Sequence, residues 1–253
     1  PKVTILAAAK VGGIYANSHF SGDFILENLK IQNNVIENAW KFDVKRFLFL
    51  GSSCIYPKFA DQPLQENSLL TGSLEETNEA YAIAKIAGIK LCAALRKQYG
   101  FDAISIMPTN LYGPGDNYHE KNSHVLPSLI RKFYEAKTKS LEYVNCWGSG
   151  KPMREFLYVD DLADAAIFIL ENVSINNENL IDKNKNFNGI LNVGVGKDIC
   201  IKELAELIQP EPILSFIPER PAEVKETLAD ITTTFEDLGW SPKYDLRDKI
   251  NSY

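Results

Sequence analysis

The chain has 253 residues, of which 45% are hydrophobic and 24% charged, which suits one large globular domain or one large and one small domain. The net charge of −6 and the pI of about 5.2 disfavour a general nucleic-acid binder, since such proteins are usually basic. No apolar run reaches the ~20 residues that span a bilayer, and we expect no signal peptide because the N-terminus enters a strand at once. Four widely spaced cysteines form no C-x-x-C pair, so we expect a cytoplasmic protein without a metal site, a disulfide framework or a membrane partner.

Short apolar strands alternate with amphipathic helices in the first half of the chain. The pattern predicts strands over residues 3–9, 46–50 and 103–107, with helices over 24–42 and 78–99 between them and a loop over 108–114. This alternation is typical of a parallel sheet covered on both faces, so the predicted fold class is α/β.

The pattern changes after about residue 115. It predicts helices over 125–137, 160–171, 201–208 and 231–238, and strands over 143–147, 156–159, 190–195 and 213–217. Asp160 or Asp161 is expected near the start of the second of these helices. The polar, Asn-rich segment 176–188 is predicted to be an exposed loop.

Tyr81 and Lys85 carry a chemical signal, because residues four apart on a helix share one face. An ammonium beside a phenol favours the phenolate, so we expect Lys85 to lower the pKa of Tyr81 from its usual value of about 10. Tyr81 would then exchange protons near neutral pH, and Ser52, just after the strand over 46–50, would hold the same oxygen. The pattern predicts redox or proton chemistry at a carbonyl carbon.

The glycine-rich turn of a dinucleotide-binding sheet has no match in this sequence, neither as G-x-G-x-x-G nor as G-x-x-G-x-x-G. Gly12 and Gly13 form a lone pair after the first strand, and we interpret them as a turn rather than a phosphate cradle.

Six longer segments occur in a specific order along the chain. They are Leu-Ala-Ala-Ala-Lys-Val-Gly-Gly-Ile at 6–14, Phe-Leu-Gly-Ser-Ser-Cys-Ile-Tyr-Pro at 49–57, Tyr-Ala-Ile-Ala-Lys-Ile-Ala-Gly at 81–88, Met-Pro-Thr-Asn-Leu-Tyr-Gly-Pro at 107–114, Asn-Ser-His at 122–124 and Trp-Gly-Ser-Gly-Lys-Pro-Met-Arg-Glu-Phe at 147–156. With these segments the chain resembles the GDP-L-fucose synthase family of the extended short-chain dehydrogenase/reductase superfamily.

The resemblance implies a Rossmann-like doubly wound parallel sheet with a smaller C-terminal α/β domain. It implies an NADP-binding domain over 1–114, with later returns to the sheet near 155–195, and a mainly nucleotide-sugar-binding domain over 115–253. Because the family begins with the glycine-rich unit, we expect a chain that lacks a first β-α-β-α unit of about 50 residues and also stops early at its C-terminus.

The implied reaction inverts carbons 3 and 5 of GDP-4-keto-6-deoxy-D-mannose and reduces its C4 ketone with NADPH. Tyr81 would donate the proton for reduction, Lys85 would also reach the nicotinamide ribose, and Ser52 would bond the C4 oxygen. Cys54, a thiol that a nearby cation can tune towards neutrality, and His124 would be the base and acid of inversion. His119 is the competing histidine.

The resemblance also implies the residues that bind the ligands. The cofactor would be bound by Leu50, Gly51, Ser52, Ser53, Lys85, Pro108, Thr109, Asn110, Leu111 and His124, and Asn110 would face the substrate as well. The GDP-sugar would be bound by Lys132, Trp147 and Arg154. Arg220 and Glu223 are expected in a surface loop.

Two alternatives to this reaction stay open at this point. The substrate could be another nucleotide sugar, as in GDP-colitose synthesis, or the chain could be an inactive fragment that only binds nucleotide-sugar. The resemblance further implies a homodimer formed through the helix beginning near Phe24 and the helix that carries Tyr81.

Overall fold

The computed structural model describes residues 1–174, 189–209, 214–217 and 224–250. Its strands there are β1 Val3–Leu6, β2 Arg46–Leu50, β3 Ala103–Pro108, β4 Asn110–Tyr112, β5 Val144–Trp147, β6 Met153–Tyr158, β7 Ile190–Val193, β8 Asp198–Cys200 and β9 Leu214–Ile217. Its α-helices there are α1 Ile14–His19, α2 Ser21–Lys41, α3 Glu79–Tyr99, α4 Val125–Lys139, α5 Val159–Asn172, α6 Ile201–Ile208 and α7 Leu246–Ile250.

A parallel sheet in the order β1-β2-β3-β7 forms the centre of the first half. All six residues of β3 are buried, as are the three middle residues of β2. A strand covered on both faces reads as a continuous apolar run, which explains why the pattern identified these strands. The α2 and α3 helices pack on one face and α5 on the other. The α/β fold class is confirmed.

The second half adds two smaller sheets. In the first, β6 pairs in parallel with β4 and antiparallel with β8, and in the second β5 pairs in parallel with β9. A separate apolar cluster lies here between α4, α6 and the strands, with Leu126, Leu129 and Leu204 buried in it. Because β7 belongs to the second half but completes the first sheet, the proposed division near residue 114 stays a prediction.

Several element bounds differ from the sequence predictions. The first strand ends at Leu6 rather than residue 9, and the loop predicted over 108–114 contains β4, which exists because it pairs with β6. The helix expected over 231–238 is a π-helical segment, Thr233–Asp237. The loop over 176–188, residue 213, Arg220 and Glu223 lie outside the described residues.

The start of α5 lies one residue before the predicted bound. The helix begins at Val159, and Asp160 and Asp161 lie in its first turn, near the helix start as predicted. Asp161 is fully buried and accepts the backbone N–H groups of Lys243 and Tyr244 at 2.9 and 3.1 Å. This carboxylate therefore joins two distant segments instead of capping its own helix. In the part of the chain that the structure describes, no helix combines the length and apolarity needed to cross a membrane.

Candidate active site

A cavity of about 770 Å³ opens where β2 and β3 end. This is the edge at which open α/β sheets bind ligands. All the site residues predicted from the sequence line it, although they come from both halves of the chain: Leu50, Gly51, Ser52, Ser53, Cys54, Tyr81, Lys85, Pro108, Thr109, Asn110, Leu111, His124, Lys132, Trp147 and Arg154. The fold therefore brings the predicted residues together, while their individual roles stay proposals.

The turn after β2 delivers Ser52 and Cys54 to the cavity. Gly51 donates its N–H to the carbonyl of Ile106 at 2.8 Å, and a Cβ there would lie 2.4 Å from Sδ of Met107. A glycine is needed at this point because the two strand ends approach so closely. The chain then enters a 3-10 turn over Ser53–Ile55, where Oγ of Ser52 accepts the N–H of Cys54 at 3.4 Å.

Tyr81 and Lys85 project from α3 into the same region. Lys85 is only 4% exposed, and its Nζ donates to the carbonyl of Leu50 at 2.8 Å. The same ammonium lies 5.7 Å from the ring centroid of Tyr81 and 5.0 Å from that of Phe49. The predicted shared face is therefore present, with the lysine anchored to the end of β2.

The expectation that Lys85 lowers the pKa of Tyr81 is wrong in this structure. Burial raises the pKa of Tyr81, the nearby Cys54 raises it further, and a hydrogen bond with Ser52 opposes the shift only in part. Burial also lowers the pKa of Lys85 to about 8. Desolvation outweighs the attraction between the ammonium and a phenolate, so Tyr81 keeps its proton at neutral pH and can serve as a donor.

The pKa of the Cys54 thiol is likewise not lowered towards neutral pH. Burial raises its pKa to about 11, while Ser52, Lys85 and Asn78 act in the opposite direction. The prediction of a near-neutral thiol is therefore corrected for this structure, because removal from water outweighs the cation.

His124 occupies the N-cap position of α4, and its carbonyl accepts the N–H of Ser128 at 3.0 Å. The residue is exposed towards the cavity, yet surrounding protein encloses its imidazole and lowers its pKa, with Asp116 opposing the shift. The imidazole is therefore neutral near pH 7. His119, the competing histidine, is not among the cavity-lining residues, and its Nδ1 accepts the N–H groups of Lys121 and Asn122.

The far end of the cavity presents two cations and an indole. Lys132 donates from Nζ to the carbonyl of Asn145 at 2.9 Å, and Trp147 is 45% exposed. Nη1 of Arg154 donates to the carbonyl of Val224 at 3.0 Å. Two cations beside an exposed flat ring suit a nucleoside diphosphate.

The cavity wall near β3 fits the nicotinamide end of a dinucleotide. Oγ1 of Thr109 is buried without a hydrogen-bond partner in the described part of the chain, which indicates a group that awaits a ligand. Asn110 donates its amide to the carbonyl of Glu155 at 2.8 Å. Gly13 packs against the loop that precedes His124, where a Cβ would lie 2.4 Å from the carbonyl oxygen of Ser123, and both Gly12 and Gly13 line the cavity.

Sequence reasoning missed two features of the site. The sequence pattern identifies Asn78 only as the start of a helix, but its side chain lies beside Cys54. Residues 224–230, which we call the strap, supply Val224, Glu226 and Thr227 to the cavity wall. Asn78 stands three residues before Tyr81, which is a signal that could have identified it, whereas the strap carries no motif.

Comparison with known proteins identifies the family. The model of the NAD dependent epimerase/dehydratase family matches residues 1–194. GDP-L-fucose synthase 1 of Arabidopsis thaliana is 53% identical over 257 residues, which cover 99% of this chain and 75% of that protein. GDP-L-fucose synthase of Escherichia coli (strain K12) is 50% identical over 239 residues, 93% of this chain and 73% of that protein.

A solved structure agrees with these relatives. It is MlghC, a GDP-mannoheptose C4 reductase from Campylobacter jejuni with NADP bound, at a TM-score of 0.85 and 36% identity over 99% of this chain and 79% of that one. The chain therefore belongs to the NAD dependent epimerase/dehydratase family. The resemblance to GDP-L-fucose synthases and the Rossmann-like fold are both confirmed.

Proposed function

We propose that the chain catalyses the NADPH-dependent 3,5-epimerisation and 4-reduction of GDP-4-keto-6-deoxy-D-mannose to GDP-L-fucose. The observation that carries the proposal is the convergence of Ser52, Cys54, Tyr81 and His124 on one cavity, in a chain about half identical to GDP-L-fucose synthases. A plain reductase would need the Ser52 and Tyr81 pair but not the thiol and imidazole.

The C4 ketone governs both halves of the reaction. It acidifies the protons on C3 and C5, and removal of either proton gives an enolate whose charge rests on the C4 oxygen. Ser52 and the protonated phenol of Tyr81 are the donors for that oxygen. Cys54 and His124 exchange the carbon-bound protons, one removing a proton and the other returning one to the opposite face.

Reduction uses the same oxygen. NADPH, when bound, would supply the hydride for C4, and Tyr81 would donate its phenolic proton to the C4 oxygen to complete the alcohol. Lys85 is charged near pH 7 because its pKa is about 8, and its ammonium stabilises the phenolate that remains. Lys85 and Thr109 are the residues that would hold the nicotinamide ribose.

Lys132 and Arg154 are proposed to neutralise the diphosphate of the GDP-sugar, with Trp147 packed against its base or sugar. Lysine acts as a point charge, while an arginine can make two parallel bonds to one phosphate. Arg154→Lys should therefore raise the KM for the GDP-sugar more than it lowers kcat.

The test separates inversion from reduction. The purified chain is incubated with GDP-4-keto-6-deoxy-D-mannose in D₂O, first without and then with NADPH, and deuterium at C3 and C5 is followed by mass spectrometry. Cys54→Ser should abolish the exchange, and Tyr81→Phe should retain exchange while lowering reduction ~100-fold or more. Tyr99→Phe, exposed at the end of α3, is the control.

Two outcomes would contradict this function. Reduction by the unchanged chain without any deuterium at C3 or C5 would show a plain reductase. No change in nicotinamide fluorescence up to millimolar NADPH would show that the chain does not bind the cofactor, which supports the inactive-fragment alternative. A panel that includes the GDP-colitose precursor decides between GDP-sugars.

We also propose that the chain forms a homodimer through α2 and α3 and works in the reducing cytoplasm. Leu26 on α2 and Ile83 on α3 are 53% and 42% exposed, which is costly for apolar side chains in water. Cys54, Cys92, Cys146 and Cys200 are all free. Light scattering should give twice the chain mass, and Leu26→Lys with Ile83→Lys should give the monomer mass.

A further inference from the structure

Asn78 occupies the N-cap position of α3 but does not cap the helix with its side chain. Its backbone carbonyl accepts the N–H of Ala82 at 3.0 Å, as an N-cap carbonyl should. Asparagine is among the preferred N-cap residues because its side-chain oxygen usually accepts a second N–H of the first turn. Here that capping bond is absent. The Asn78 side chain is therefore available for a contact other than the helix cap.

The Asn78 carboxamide lies in the cavity wall against Cys54. It is close enough to the Cys54 thiol to lower the pKa of that thiol, which favours the ionised sulfur. Its Oδ1 is buried and has no hydrogen-bond partner in the described ranges. A carboxamide offers two N–H donors and one acceptor. Because a thiolate accepts hydrogen bonds and donates none, the N–H end is the end that faces the sulfur.

Two other side chains favour the Cys54 thiolate, and each of them also acts on a second group. Ser52 accepts the backbone N–H of Cys54 and lowers the pKa of Tyr81, and Lys85 donates to the carbonyl of Leu50. Asn78 is three residues before Tyr81 on the same helix, so one element positions both the phenol and the carboxamide. Burial acts against the thiolate, and a donor dedicated to the sulfur is what a basic Cys54 requires.

We propose that Asn78 is a positioning residue for Cys54, whose carboxamide N–H group holds the sulfur and stabilises the thiolate that removes a proton from the substrate. This inference rests on the proposed function, because it deepens the inversion step of that reaction. It accounts for both the missing capping bond and the unpartnered oxygen, since the side chain has turned from its helix towards the thiol.

The test compares Asn78→Ser with Asn78→Ala. Serine caps helices about as well as asparagine but has no carboxamide, whereas alanine lacks both abilities. The rate of Cys54 alkylation by iodoacetamide is measured against pH by mass spectrometry of the Cys54 peptide. Both variants should slow alkylation at pH 8 by about three- to tenfold, the effect of one hydrogen bond. Asn38→Ser, exposed on α2, should leave the rate unchanged.

The second readout is deuterium exchange at C3 and C5 without NADPH. Both Asn78 variants should lower it about three- to tenfold, with the KM for the GDP-sugar unchanged within about twofold. If Cys54 in the Asn78→Ser variant is alkylated at the same rate as in the unchanged chain, the inference is overturned and Asn78 is a helix residue only. Alkylation of Cys54 needs no turnover. If the Asn78 variants slow alkylation while the unchanged chain forms no GDP-L-fucose, the proposed function is contradicted but the role of Asn78 is not.

Discussion

Lys85 shows how burial changes the chemistry of a single residue. Only 4% of it is exposed, and its ammonium is held by one carbonyl and lies beside two aromatic rings. Desolvation lowers its pKa from 10.5 to about 8. The folded protein therefore releases this proton more readily than the unfolded chain does. Below pH 8 both states carry the charge, and the folded state bears the full cost of burying it.

Lys85→Met should therefore stabilise the fold near neutral pH while it removes activity. The pKa difference corresponds to about 3 kcal/mol, from which the lost bond to Leu50 subtracts about 1 kcal/mol. The gain in the free energy of unfolding should be largest below pH 8. It should disappear as the pH rises from 8 to 10.5, because the unfolded chain then also loses the proton. Denaturant unfolding at several pH values measures this difference.

Lys90→Met, exposed on the same helix, is the control and should show no such pH-dependent difference. If the difference in the free energy of unfolding between Lys85→Met and the unchanged chain stayed constant from pH 7 to pH 10, this would contradict an energetic cost of burying the Lys85 charge.

At the scale of the element, α3 approaches β2 and α2 more closely than a side chain at Gly88 would allow. A Cβ at Gly88 would lie 2.6 Å from Cζ of Phe49 and 3.0 Å from Cδ of Gln32. Gln32 is itself buried and donates to the carbonyl of Ala84 at 2.6 Å. Phe49 also contacts the Lys85 ammonium. The close packing at Gly88 therefore sets the distance between β2 and the face of α3 that carries Tyr81 and Lys85.

Gly88→Ala should accordingly destabilise the protein by about 1–3 kcal/mol, although alanine is the better helix former. Gly22→Ala in α2 is the matched control, because a Cβ there meets nothing within 4 Å, and it should be neutral or stabilising. Thermal and denaturant unfolding compare the two. Equal stabilisation by both substitutions would show that the Phe49 ring moves aside without cost.

At the scale of the whole molecule, the strap joins the two halves across the cavity. On one side Leu64 donates to the carbonyl of Leu228 at 2.7 Å, and on the other Met153 donates to that of Lys225 at 2.7 Å. Glu155, fully buried, completes the connection by accepting the N–H groups of Val195, Gly196 and Ala229. One carboxylate thus holds two backbone segments, 195–196 and the strap, against the strand that carries Arg154.

Glu155→Ala leaves three backbone N–H donors without an acceptor, that of Ala229 buried and those of Val195 and Gly196 partly buried, so we expect a loss of about 1–3 kcal/mol in the free energy of unfolding. Because Arg154 and the strap lose their support, the KM for the GDP-sugar should rise severalfold while the Cys54 alkylation profile stays unchanged. Glu171→Ala, exposed on α5, should alter stability by less than about 0.5 kcal/mol. An unchanged KM would show that the Glu155 carboxylate is not needed to hold the strap in position.

The sequence by itself determined the fold class, the central strands and a set of candidate site residues that the fold brings to one cavity. Apolar runs such as β2 and β3 identify buried parallel strands directly, and the spacing of Tyr81 and Lys85 is a local property of one helix. The segments shared with a known family named the remaining site residues, including Cys54 and His124.

Only the tertiary structure decided the protonation of the site and the elements that hold it. Local spacing says nothing about how much water a group loses, and that loss reversed the expected shifts of the Tyr81 and Cys54 pKa values. Strand β4, the strap and the turned side chain of Asn78 depend on partners far away in the sequence. Such pairings form only when the chain is folded, so no pattern within a short window could have predicted them.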